Sequence, residues 1–134
     1  MKPRRVDQLL AGYADGDAIS QEARKFRDIV RESGIESEIF VPADRIGVGV
    51  ANDCRSIEAY DGTPQDVVVY HYSIASPASS FFMDSSARKI MRYHNITPAD
   101  FFDGFDDDVA AQLRKARSEL RAVASQADSV WTSP

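Results

Sequence analysis

A single cysteine, Cys54, in 134 residues leaves no partner for an intramolecular disulfide and implies a reducing compartment. That lone thiol, beside Asn52 and Asp53, sits in none of the motif contexts that activate a nucleophilic cysteine. No apolar run approaches the roughly 18 residues that span a bilayer, and Met1-Lys2-Pro3-Arg4-Arg5 leads into no long hydrophobic stretch. A cytoplasmic location, or one peripheral to the inner face of the membrane, is the expectation. Basic excess is missing too: 16 Lys and Arg face 21 Asp and Glu, a net charge of −5. That balance argues against nucleic acid as a partner, which needs a basic face. G-x-S-x-G, Walker, C-x-x-C and H-E-x-x-H patterns are absent, so hydrolase-triad, P-loop and zincin chemistry have no support. Two histidines without a third ligand at useful spacing make a poor metal site. Asp100, Asp103 and Asp106 to Asp108 fit no EF-hand spacing. No internal repeat or low-complexity segment occurs.

What remains is the make-up of one soluble domain, 43% apolar and 28% charged. A chain of this length buries about two-thirds of its unfolded surface and needs neither disulfide nor metal to hold together.

Short apolar runs alternate with amphipathic stretches. Val6 to Leu10 reads as a first strand, followed by a small-residue turn from Gly12 to Asp17. Ile19, Ala23, Phe26 and Val30 recur at helical spacing, with Asp17 or Ser20 as cap and Gly34 as the stop. Ile35 to Val41 reads as a second strand ended by Pro42. Residues 43–65 hold a strand-like patch, Ile46 to Val50, then a short helix through Ile57 and Tyr60 and a turn at 61–64. Asp66 to Ser73 and Ile90 to Asn95 are continuous apolar runs, as in parallel strands buried on both faces. Between them, residues 74–88 have room for a short helix. A long helix runs from Asp106 on the face Val109, Leu113, Ala116, Leu120, Val123, with acidic residues at its positive end. Ser129 onward opens a further strand. Strands alternating with helices predict an α/β fold, a Rossmann-like parallel sheet flanked by helices.

In such sheets ligands bind beyond the carboxyl ends of the strands. Three groups fall there. Asp15-Gly16-Asp17-Ala18 offers backbone N–H groups to a phosphate, or is simply a capped helix start whose carboxylates repel anions. His71-Tyr72-Ser73 and His94-Asn95 each end a strand, so the two histidines can face one crevice and meet a sugar hydroxyl, or pack beneath a loop.

Asp66-Val-Val-Val-Tyr-His-Tyr-Ser-Ile74, then Tyr93-His-Asn-Ile-Thr-Pro98 and Phe101-Phe102, resembles the amino-terminal domain of retaining GT-B glycosyltransferases of the group 1 (family 4) type. Asp15-Gly-Asp-Ala-Ile19, Ser37-Glu-Ile-Phe40, the helix from Asp106 and Val130-Trp-Thr-Ser133 resemble it in the same order. The resemblance implies two Rossmann-like domains across a cleft, the first on the acceptor side, the second holding a UDP- or GDP-linked sugar. It implies hexose transfer with retention, with His94 reaching the transferred sugar as the catalytic residue. Gly16 and Asp17 would lie near the donor diphosphate, Asn95 and Thr97 would shape the loop, and His71, Tyr72 and Ser73 would line the neighbouring strand end. It implies no metal and no cofactor beyond the nucleotide-sugar substrate, and a sugar or lipid acceptor. The donor domain is missing from these residues, so 1–134 reads as an incomplete acceptor-side domain, inactive alone, with an exposed sheet edge open to self-association. The alternative is a stand-alone, non-catalytic α/β module that binds a small ligand or partner.

Overall fold

The computed structural model describes residues 2–94 and 99–132. Six parallel strands form one sheet: β1 (Val6–Leu10), β2 (Ile39–Val41), β3 (Arg55–Ser56), β4 (Val67–Tyr72), β5 (Arg88–Tyr93) and β6 (Ser129–Thr132). Their spatial order is β3-β2-β1-β4-β5-β6, the order of a doubly wound, Rossmann-like sheet. Three helices flank it: α1 (Ala18–Glu32), α2 (Ala78–Asp84) and α3 (Asp107–Gln126).

Period-2 alternation divides β1 and β2 between two cores, while β4 and β5 feed the first of them. Leu9, Phe40, Val68, Tyr70, Tyr72 and Met91 pack with Phe82 of α2 and with Leu113, Ala116 and Val123 of α3. Leu10, Ile39 and Val41 face the other way, onto Ala23 of α1. Both long helices start where the sequence puts their caps. Asp17 accepts from the Ser20 amide at 2.9 Å, and Asp106 accepts from the Val109 amide at 3.1 Å. Such a cap is worth about 1 kcal/mol. Gly34, at φ +86°, ends α1 in the left-handed conformation that a side chain resists.

The structure alters four details of the expected layout. The second strand is three residues long, with Glu36 joined to Arg5 by an isolated bridge. Ile46 to Val50 is not a strand. Its Gly47 amide donates to the Tyr13 carbonyl at 2.7 Å, so the segment is strapped against the β1–α1 loop, and Gly49 turns away at φ +88°. A Cβ at Gly47 would meet that carbonyl oxygen at 3.1 Å, so this close approach needs glycine. The strand of this region is Arg55–Ser56, paired with Phe40 and Val41. The fifth strand begins at Arg88 and stops at Tyr93, and only Met91 of it is fully buried; of the two runs expected to be buried on both faces, β4 is and β5 is not.

Candidate functional site

Strand β1 passes to α1 and β2 on one side of the sheet, while β4 passes to α2 and β5 on the other. Their loops therefore part at the β1/β4 boundary, the switch point where open α/β sheets bind ligands. A cleft of about 710 Å³ opens there, lined by Ala11 to Ala14 and Asp17 from the first loop, Ser73 to Pro77 from the second, and His71. Arg45 and Lys115 bring positive charge to its walls, and Asp44 brings negative.

Below the cleft lies a polar cluster on the α1 face. Sheet register aligns Leu10, His71, Arg92 and Trp131 in one row across β1, β4, β5 and β6. Gln8, fully buried two residues before Leu10, donates from Nε2 to the Ala23 carbonyl of α1 at 2.8 Å. Its Oε1 contacts His71 Nε2 at 2.7 Å. His71 Nδ1 lies 3.0 Å from His94 Nε2, and the two rings are stacked with centroids 5.2 Å apart. Arg92 grips Glu22 of α1 with both arms of its fork, at 3.0 and 3.2 Å. Burial, then His94 and Arg92, push the His71 pKa down to about 3. Burial and Arg92 lower that of His94 as well, against the pull of Glu22 and Asp17. Both imidazoles are therefore neutral at pH 7.

That shift has a pH signature. The unfolded chain protonates a histidine near its ordinary value of 6.5, whereas the native state refuses the proton down to about 3. The unfolded state binds more protons throughout that window, so stability falls as pH drops, by about 1.4 kcal/mol per unit below 6.5. Urea unfolding at pH 5 should give a free energy about 2 kcal/mol below that at pH 7. Replacing His71 with Gln should flatten the slope; an unchanged slope in that variant would assign the effect elsewhere.

Glu22, His71 and His94 each present a possible ligand atom, all within 4.8 Å of one another. Glu22 Oε2 is 3.7 Å from His71 Nδ1 and 3.9 Å from His94 Nε2. Two imidazoles and a carboxylate suit a divalent transition metal, and α1 supplies the third ligand that the sequence did not reveal. As arranged, however, the facing imidazole nitrogens are hydrogen-bonded to each other and both Glu22 oxygens are held by Arg92. An ion would have to displace both arrangements.

The expected site residues are only partly gathered. His71, Ser73 and Asp17 line the cleft, and His94 adjoins it through His71. Asp17 uses its carboxylate to cap α1, accepting from both the amide and the hydroxyl of Ser20. Gly16, at φ +80°, has no neighbour within 4 Å of a would-be Cβ, so backbone can be approached closely there. Tyr72 does not belong to the site. Neighbours in a strand point to opposite faces, so with His71 toward α1, Tyr72 turns into the opposite core and its hydroxyl donates to the Ala116 carbonyl of α3. Asn95 and Thr97 lie outside the described residues. Cys54 is buried and its thiol is raised by that burial, which leaves it inert. No helix among the described residues is long and apolar enough to cross a membrane.

Gln8, Glu22 and Arg92 are the members that sequence reasoning missed. A lone amide inside Val-Asp-Gln-Leu-Leu was the available signal, since a polar side chain in a buried strand needs partners. Comparison with protein-family models, with curated proteins and with solved structures gives no significant match.

Proposed function

We propose that this domain is the acceptor-side half of a retaining glycosyltransferase that moves a hexose from a UDP- or GDP-linked donor to a sugar or lipid acceptor. One observation carries the reading: the β1–α1 loop and His94, the two elements the sequence resemblance assigns to donor and sugar, converge at the switch point of a β3-β2-β1-β4-β5-β6 parallel sheet. On this reading His94 meets the transferring sugar, and the backbone at Gly16 approaches the diphosphate without steric cost. Ser73 and His71 line the acceptor side. The chemistry asks for positioning and for neutralisation of the departing diphosphate, to which Arg45 and Lys115 contribute from the cleft walls. The donor-binding domain is the partner the reaction requires, and the outer edge of β6 is where another copy would add on.

One observation favours a second reading, a stand-alone binding module: the cleft at the switch point is walled by this chain's own residues. Assay of the full-length protein separates the two. UDP- and GDP-hexoses, offered with simple glycosides and lipid extracts, should release nucleoside diphosphate and yield a product with the donor's anomeric configuration by proton NMR. Inverted product, or no nucleoside diphosphate from any donor, would overturn the transferase reading.

A further inference from the structure

The Gln8–His71–His94 chain has a direction, and its origin is a backbone carbonyl. The Ala23 carbonyl can only accept, so the Gln8 atom 2.8 Å from it is the amide nitrogen. The Gln8 oxygen is then the atom facing His71 Nε2 at 2.7 Å, and Nε2 must carry the proton. A neutral imidazole holds one ring proton, so His71 Nδ1 is an acceptor, and the nitrogen 3.0 Å away, His94 Nε2, must donate. That leaves His94 Nδ1 as a bare lone pair. No described residue hydrogen-bonds it, and the His94 side chain keeps 14% of its surface exposed next to His71 of the cleft wall.

We infer that Gln8 and His71 are positioning residues that fix His94 in its Nε2–H tautomer, so that it offers an acceptor to the ligand and selects a hydroxyl over an anion. A hydroxyl donates to such a nitrogen, whereas a phosphoryl or carboxylate oxygen has only lone pairs to present and is repelled. The neutrality of both rings supports this, because a protonated His71 would donate from both nitrogens and reverse the chain. The same logic explains why an amide is fully buried in the middle of β1: it is the one neutral side chain there that both donates to α1 and accepts from His71. Selection of a sugar hydroxyl rests on the transferase reading; the tautomer itself does not.

The test uses the chain alone, with histidine labelled with nitrogen-15 and long-range proton–nitrogen correlations recorded at pH 7. A protonated and an unprotonated ring nitrogen resonate far apart, so each tautomer is read directly. In the wild type, His94 should populate the Nε2–H form over the Nδ1–H form by about tenfold or more, as expected of one hydrogen bond in a dry site. Gln8→Leu removes the acceptor for His71, and the His94 preference should collapse or reverse. Gln8→Glu, protonated in its buried setting, supplies the same donor and acceptor and should restore it. A wild-type His94 that is Nδ1–H or evenly mixed overturns the inference without any variant. A folded Gln8→Leu chain that keeps the wild-type signature overturns the role of Gln8. In the full-length transferase, Gln8→Leu should lower kcat with KM nearly unchanged. Inactivity of the wild-type protein would sink the transferase reading and leave the tautomer result standing.

Discussion

Asp53→Ala should destabilise the domain by roughly 3 kcal/mol, because it leaves a buried guanidinium with only a backbone carbonyl and the Asp28 carboxylate 3.7 Å away. Arg27 on α1 is 7% exposed, and its fork closes on Asp53, on the carbonyl at 2.6 Å and on Oδ1 at 2.8 Å. The other carboxylate oxygen accepts from the Tyr13 hydroxyl and from Arg24 Nε. Burial alone would raise the Asp53 carboxyl, but Tyr13, Arg27 and Arg24 together hold it below its ordinary range. This one carboxylate thereby ties the loop before β3 to α1 and to the β1–α1 loop that walls the cleft. Asp53 is about a third exposed, which places the loss near the lower end of the 3–5 kcal/mol typical of a broken buried pair. The melting temperature should fall by about 10 °C. Asp103→Ala, which removes the exposed partner of Arg114, should cost less than about 0.5 kcal/mol. Urea denaturation of the two variants checks the contrast; equal losses would mean that the Asp53 cluster holds nothing together.

Much of the architecture was legible because burial writes periodicity into the chain. α1 and α3 announce themselves through apolar faces and acidic caps, and β4 through an unbroken run of Val and Tyr. β3 was illegible because two residues carry no period of their own; Arg55 and Ser56 are extended only because Phe40 and Val41 offer them a ladder. Ile46-Gly-Val-Gly-Val50 mimics a strand in composition, yet its glycines serve a close approach and a turn. In the site, the histidines were legible as polar endings of apolar strands. Glu22 was not, since on sequence it belongs to the solvated side of α1, and only folding sets it against Arg92. Tyr72 was misplaced although alternation alone sends it to the face opposite His71, into the core under α3.

If the proposed transferase reading holds, His94→Ala should remove about a hundredfold of kcat in the full-length protein, the scale of losing one positioning contact to the reacting sugar. The substitution should spare the fold. The His94 amide donates to the Tyr72 carbonyl at 3.0 Å, an anchor that alanine keeps, and the ring is only partly buried. The vacated space adjoins the cleft, so water can reach the exposed lone pair of His71 Nδ1. On the transferase reading KM for the donor should change little, because that reading puts most donor contacts on a second domain. The most direct test is therefore the kcat of His94→Ala beside its melting temperature. The account predicts a loss of about 10²-fold with the melting temperature within a few degrees of wild type. A folded variant that transfers hexose within about threefold of the wild-type rate would contradict it.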